Sequence, residues 1–398
     1  MRLLILNRHS DSFAEYDRYI DHQEHEVSYV TVPAHVPMAR RSSHRHLEVL
    51  SSLGDEQEVL RAAERCHREA GPFDAVFAQS EFDLLTAAAV REQLNVPGPG
   101  VQATQLFRDK PRMKEAVAEA GLRVPQFTAV TSVAQAVEFA RTCGGAMVAK
   151  PRAGAASSGV VVIEPGTDPA AALAGLDLAE YEAEEHVSGP IWHVDGLRHR
   201  GRTCFQLSSQ YVGTCYGFSR GEPLASVVRL DEKADLIGEF AGRCLDALDL
   251  RDGPFHLEVI ESDDGPVFLE VGARVGGGEI PFVLHDVYGV DLVGDWLRVV
   301  LSQTPRTLPQ GVPREHAGFL MLPEPAGLTL ASRQSVLERV ECLYAEVLPE
   351  PGHRFDGAGG YEKLLGRFRY RAPSAKHITD AVDETLRTYR YVLTEEGR

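Results

Sequence analysis

The stretch Phe255-His-Leu-Glu-Val-Ile-Glu-Ser-Asp-Asp-Gly-Pro-Val-Phe-Leu-Glu-Val-Gly-Ala-Arg274 limits the architectures open to this chain more than any other segment. Residues 255–260 and 266–271 are rich in Val, Ile, Leu and Phe, and residues 262–265 carry turn chemistry, so the segment reads as a β-hairpin. A three-residue loop of Asp263, Asp264 and Gly265, with Gly265 left-handed, sets Ser262 against Pro266 and Glu258 directly opposite Glu270. A two-residue Asp-Gly loop sets Glu258 against Val271 instead and parts the carboxylates onto different faces. Directly opposed residues have Cβ atoms roughly 4.5–5.5 Å apart, close enough for two carboxylates to repel unless a cation lies between them. A solvated acidic hairpin is the competing reading. Both carboxylates sit inside apolar runs, where a solvated face has no need of them, so a Mg²⁺ site is expected here.

The length of 398 residues suits two or three domains with ample core. Formal charge is 41 minus 58, or −17, which disfavours general nucleic-acid binding and an anionic membrane surface. Any anionic ligand must then be held by a few concentrated Lys and Arg side chains. No apolar run has the length of a membrane span, and the start Met1-Arg-Leu-Leu-Ile-Leu-Asn7 is too short for a signal peptide and reads as a buried strand. Six cysteines without a C-x-x-C pair point to reduced thiols and a cytoplasmic setting, and Val59, Ala63 and Cys66 share one helical face. His44 and His46 lack a third ligand nearby and are read as a basic loop rather than a metal site.

Residues 1 to about 105 alternate strand and helix signals: strands at 3–6, 27–32 and 75–78, helices from Ser12, near 56–69 and after Ser80. Such alternation predicts a parallel α/β layer, and the absence of G-x-G-x-x-G after the first strand disfavours a dinucleotide fold. Asn95-Val-Pro-Gly-Pro-Gly100 reads as a linker. A helix over 111–120 follows, opened by Pro111 and closed by Gly121; then strands over 146–150 and 160–163 flank the small-residue loop Arg152-Ala-Gly-Ala-Ala-Ser-Ser-Gly159. Small residues let backbone N–H groups approach phosphate oxygens, and glycines let such a loop close. Beyond 310, a strand over 317–322, a helix over 332–340 and a terminal helix over 378–393 are expected.

Three elements in this order, Asp109-Lys110 before a helix, Lys150-Pro151 before a Gly/Ser loop, and paired glutamates followed by Arg274, resemble the ATP-grasp superfamily of carboxylate–amine ligases over residues 75–290. The resemblance is to bacterial L-amino-acid ligases, D-alanine–D-alanine ligase and biotin carboxylase. It implies a mixed α/β and α+β fold in three parts: an N-terminal parallel α/β pre-ATP-grasp domain over 1–105, a two-lobed ATP-grasp domain over 106–308 with ATP between the lobes, and a C-terminal α+β domain over 309–398. It also implies that Lys110 and Lys150 contact nucleotide phosphates, and that Gly154, Ser157, Ser158 and Gly159 belong to a mobile lid over them. Glu184, Glu185, His186 and Val187 match the inter-lobe segment whose backbone holds adenine. Glu258 and Glu270 match the Mg²⁺ ligands, with two ions expected and Mn²⁺ able to substitute. Arg274 matches the arginine that stabilises an acyl phosphate, and with Lys150 forms the catalytic pair. The usual E-x-N-x-R pattern is Glu270-Val-Gly272-Ala-Arg274 here, so Gly272 is expected to leave one position of the second Mg²⁺ open to water or substrate.

The activity implied is phosphorylation of a carboxylate by ATP and capture of the acyl phosphate by an amine, releasing ADP and phosphate, with an amino acid as one substrate. Its partners are small-molecule carboxylates and amines, with a homodimer as the candidate assembly. Gly276, Gly277 and Gly278 are candidates for shaping the acceptor pocket, or form a plain loop before Pro281. Glu81 is a candidate reader of a substrate ammonium group, or a helix-start carboxylate. Bicarbonate activation, kinase chemistry and a catalytically silent nucleotide-binding protein are the alternatives, and no Met-Lys-Met carrier motif supports the first of these.

Overall fold

The computed structural model describes residues 1–9, 15–306, 315–357, 360, 361 and 363–395. The helix expected from Ser12 starts outside the described residues; a single 3₁₀ turn, Tyr16–Arg18, lies just beyond. The N-terminal alternation folds as anticipated. Strands β1 (Arg2–Asn7), β2 (Glu26–Thr31), β3 (His46–Val49) and β4 (Ala75–Ala78) form a parallel sheet in the order β3-β2-β1-β4. Helix α1 (Glu56–Ala70) is opened by the Asp55 side chain, which accepts from Glu58 N at 3.0 Å, and buries Val59, Ala63 and Cys66. Helix α2 (Leu84–Leu94) ends at Asn95 in the left-handed conformation, so the breaker cluster marks a real stop.

Helix α3 (Lys110–Glu119) is capped by Asp109, which accepts from Arg112 N. It leads into an antiparallel sheet of β5 (Phe127–Val130), β6 (Met147–Pro151), β7 (Val161–Ile163) and β8 (Tyr181–Glu185), ordered β5-β8-β6-β7. Helix α4 (Val133–Thr142) packs on β5.

An eight-stranded antiparallel sheet carries the rest. It comprises β9 (Ile191–His199), β10 (Arg202–Val212), β11 (Leu224–Val228), β12 (Gly253–Ser262), β13 (Gly265–Gly272), β14 (His316–Leu322), β16 (Leu343–Val347) and β17 (Gly366–Ala372), ordered β13-β12-β9-β10-β11-β14-β17-β16. Strands from both sides of residue 308 therefore share one sheet. Helices α5 (Glu232–Ala247), α6 (Ile280–Tyr288) and α7 (Leu292–Val300) cover it. One apolar core joins this sheet to the first through α6 and α7, with Phe77 of β4 edge-to-face on Trp296 at 4.8 Å. No helix among the described residues is long and apolar enough to cross a membrane, and all six cysteines are free.

Two expectations fail near the C-terminus. Residues 332–340 are not a helix: Thr329–Arg333 is strand β15, followed by turns. Helix α8 (Ala375–Thr388) stops five residues short of the expected end, and Tyr391–Thr394 forms β18, paired antiparallel to β15. The cause is tertiary. Buried Tyr389 donates its hydroxyl to Leu365 O at 3.1 Å in an extended backbone conformation, which ends the helix and aims the last residues at β15. Ile378 of α8 is fully buried against Gly318 of β14, where any Cβ would meet both Ser226 O and the Ile378 side chain. Ile378→Ala should cost about 2–5 kcal/mol, read as a lower urea midpoint at unchanged slope; a loss under about 0.5 kcal/mol would show that α8 is loosely docked.

Candidate nucleotide and metal site

The hairpin brings Glu258 and Glu270 face to face, but by another route than its loop suggested. Ser262 pairs with Gly265, so the turn holds only Asp263 and Asp264, and Val259 pairs with Phe268. A regular ladder from there would oppose Glu258 to Leu269. A bulge at Leu269 adds the residue that moves Glu270 into register with Glu258, and it points both Leu269 and Glu270 at one cleft. Opposition of the carboxylates thus depends on the bulge, not on a three-residue turn.

That open cleft, with a cavity of about 200 Å³, lies between the two antiparallel sheets. Lys110, Lys150, Gly154, Ser157, Ser158, Glu184, Glu185, His186 and Val187 line it together with Glu258 and Glu270. Gly159, Glu81, Arg274 and Gly276–Gly278 lie outside its lining. Local folding explains each position. Lys150 is the penultimate residue of β6, before Pro151 ends the strand, and Lys110 is the first residue of α3. At the end of β8, Glu185 N donates to Gln126 O and His186 N to Ala146 O, both at 2.9 Å, and this fixes the segment between the lobes.

The small-residue loop is tied down at its base. Lys110 donates to Gly154 O at 2.8 Å, Arg108 to Ala153 O, and Lys110 N to Arg152 O at 3.1 Å, while Arg152 pairs with Asp109 at 2.6 Å. Ala156 and Ser157 have φ of 53° and 54°, unusual for residues with a Cβ, and Gly159 has φ of 72°.

Every cation of the site sits on a carboxylate. Lys110 is 3.3 Å from Glu270; Lys150 is 2.6 Å from Glu184; Arg274 bonds Glu81. Burial alone would raise the Glu270 pKa, yet Lys110 and Lys150 hold it at about 2. Lys150 is raised above its usual value, with the Glu184 and Glu182 carboxylates overcoming the opposing effect of burial.

Glu81 is buried and both its oxygens are taken, one by Arg108 and one by Arg274. Gly272 faces this carboxylate: a Cβ there would stand 2.8 Å from Glu81 Oε2 and 3.3 Å from Arg274 Cγ. The expectation that Gly272 leaves a Mg²⁺ position open is corrected accordingly. The missing side chain makes room for Glu81, and its φ lies outside the left-handed range. The glycine run is likewise built for close packing. A Cβ at Gly276 would strike Asp195, Gly278 has φ of 60° against Met321, and Gly277 looks toward the Tyr361 ring 3.8 Å away.

Several functional candidates escaped the sequence reading. Lys114 of α3 and Glu182 of β8 are fully buried and bonded at 2.5 Å. His256 packs Nδ1 on Asp195 at 2.8 Å and Nε2 toward Glu258 at 3.5 Å, Asp195 also pairs with His193 at 2.5 Å, and Tyr211 donates to Glu258 at 3.3 Å. The available signals were spacing: Lys114 stands four residues after Lys110 on a helix, and His256 two before Glu258 on a strand.

No protein-family model matches the chain. It is 25% identical over 236 residues to the uncharacterized protein y4rH of Sinorhizobium fredii, covering 57% of this chain and about half (49%) of that relative. It is 24% identical over 339 residues to the L-arginine-specific L-amino acid ligase of Bacillus subtilis, covering 82% of each. The crystal structure of an L-amino acid ligase from Bacillus licheniformis superposes with a TM-score of 0.80 at 18% identity, over 98% of both chains. Whole-chain superposition on that ligase decides the fold. The chain has the ATP-grasp fold. The ATP-grasp fold accounts for the paired sheets enclosing the cleft.

Burial alone would lower the His256 pKa, but Asp195 and Glu258 raise it to about 10. A pKa raised on folding contributes stability that is complete below the unfolded value of 6.5 and is lost as pH rises through about 10. Ligand-free protein should therefore lose thermal stability between pH 7 and 10, and His256→Gln should flatten that slope; equal slopes in both would show that His256 is neutral when folded.

Proposed function

We propose that the chain is an ATP-dependent carboxylate–amine ligase that joins a carboxylate to an amine, one of them an amino acid, through an acyl phosphate. The observation that carries this is the convergence of Lys110, Lys150, Glu258 and Glu270 on one cleft with Arg274 beside it. Two opposed carboxylates flanked by lysines fit Mg²⁺: Glu258 and Glu270 offer hard oxygen donors, and both point at the space where phosphates would lie. Bound there, the metal would neutralise charge between the reacting phosphoryl groups. Two ions, or Mn²⁺ in their place, are compatible with this donor set.

In this reading the substrate carboxylate oxygen attacks the γ-phosphorus, the bond to the β-phosphate oxygen breaks, and ADP leaves. The amine then attacks the acyl carbon, phosphate departs, and the amine loses a proton. Chain residues position and neutralise rather than act as nucleophiles. Lys110 and Lys150 hold phosphate oxygens, the loop with Gly154, Ser157, Ser158 and Gly159 closes over them, and the segment with Glu184, Glu185, His186 and Val187 lies along the adenine. Arg274 steadies the charge on the acyl phosphate. Glu81 orients Arg274, which gives the buried carboxylate a role other than reading a substrate ammonium group. Gly276, Gly277 and Gly278 bound the acceptor side.

Product should appear with ADP and phosphate and without AMP when amino acids are paired in a matrix with other amines and acids; stoichiometric AMP and pyrophosphate would overturn the acyl-phosphate route. Glu270→Gln should lower turnover by about two orders of magnitude, because the lost ligand acts in the transition state, and should also lower the thermal stability of the ligand-free protein, because Lys110 loses its carboxylate. Gly272→Asn should displace Glu81 from Arg274, lowering turnover at saturating substrate while the Mg²⁺ needed for half-maximal activity stays put. A lower Mg²⁺ requirement in that variant would restore the open-coordination reading.

A further inference from the structure

At the floor of the cleft lies a buried square of charges, of which the ligase reading uses Lys150 and Glu184 but leaves Lys114 and Glu182 without a role. Lys114 Nζ is 2.5 Å from Glu182 Oε1 and 2.6 Å from Glu184 Oε2. Lys150 Nζ is 2.6 Å from Glu184 Oε1 and 3.8 Å from Glu182 Oε1. All four side chains are buried, and Lys114 is wholly inaccessible. The geometry comes from the sheet: Glu182 and Glu184 are two apart on β8 and share a face, Lys150 is paired with Glu182 in the register of β6, and α3 lowers Lys114 onto both carboxylates from above. The Phe127 ring of β5 closes the remaining side, 5.5 Å from Lys114 Nζ.

Two lysines and two glutamates leave this square neutral. Of the two lysines only Lys150 lines the cleft, so only Lys150 can turn to an incoming phosphate. When it does, the square keeps two carboxylates and one cation. A buried carboxylate without a cation is strongly destabilised, so without Lys114 the two glutamates would have no positive partner and would resist the departure of Lys150. Their net negative charge would also repel the phosphates directly, at a distance where the low dielectric screens little.

We infer that Lys114, which does not reach the cleft, sets the strength of nucleotide binding by holding Glu182 and Glu184 so that Lys150 is free to engage phosphate. Lys114 is thus a positioning residue. The inference rests on the reading of Lys150 as a phosphate ligand, and the two are separable by experiment.

Calorimetric titration of the whole chain with MgADP measures binding without turnover. Lys114→Met should weaken MgADP binding by roughly tenfold or more, and should raise KM for ATP while kcat at saturating ATP changes far less. Lys114→Met/Glu182→Gln, which removes one charge of each sign, should recover part of the lost affinity, because the departure of Lys150 then leaves one bare carboxylate, Glu184, instead of two. Lys150→Met tests the underlying reading in the same titration. If Lys150→Met binds MgADP as the wild type does, the phosphate role itself fails. If Lys150→Met is weakened but a folded Lys114→Met is not, or if the double variant binds no better than the single one, the role of Lys114 fails alone. Should Lys114→Met not fold, the charge-balanced double variant still decides: affinity between those of the wild type and Lys150→Met supports the inference, and wild-type affinity or a loss like that of Lys150→Met overturns it.

Discussion

Glu258 and Glu270, two like charges held opposite one another on neighbouring strands, are the constraint around which this molecule is arranged. Like charges directly across a ladder destabilise it, so everything within reach is a counterweight. Lys110 stands on Glu270, His256 leans toward Glu258, and Tyr211 donates a hydrogen bond to the same carboxylate. The bulge at Leu269 is what enforces the opposition, because the two-residue turn alone would have put a leucine there. Strain of this kind is kept where a ligand repays it, and a divalent cation between the two glutamates is the ligand of fitting charge.

The parts of the fold legible in the sequence were those set by local periodicity. Strands at 3–6 and 75–78, the helix over 56–69 and the capped helix beginning at Asp109 each declare themselves within about ten residues, through alternation, caps and breakers. Residues 329–333 and 391–394 do not, because each is a strand only in the presence of the other, some sixty residues away. Read alone, 378–393 continues as a helix; the buried hydroxyl of Tyr389 on Leu365 O is a tertiary fact that overrides it.

The site divides the same way. Glu258 and Glu270 stood out because carboxylates inside apolar runs ask for a reason, whereas Lys110 and Lys150 entered only through the resemblance to the ATP-grasp superfamily. Lys114 and Glu182 were invisible because a lysine in a helix and a glutamate in a strand are unremarkable until the sheet register brings them within a hydrogen bond. Gly272 misled for a related reason. Its face was read correctly from period-two alternation, but what fills that space arrives from β4 and the turn at Glu81, a segment nearly two hundred residues distant.

A common logic links the three cations nearest the phosphate space. Each rests on a carboxylate, so binding a polyanion means exchanging partners rather than adding a contact. Exchange is cheap only if the abandoned carboxylate is not left bare in a low-dielectric interior. Glu184 has Lys114 as well as Lys150, and Glu81 has Arg108 as well as Arg274. Glu270, the most exposed of these carboxylates, is the one proposed to hold a metal and has Glu258 opposite. Arg108 also bonds the Ala153 carbonyl at the base of the small-residue loop, and Lys110 bonds that of Gly154, so the cations that steady the carboxylates also steady that loop. In the proposed ligase, movement of this loop would change the partners of Lys110 and Arg108 as phosphates compete for Lys110, so closure and charge exchange would be one event.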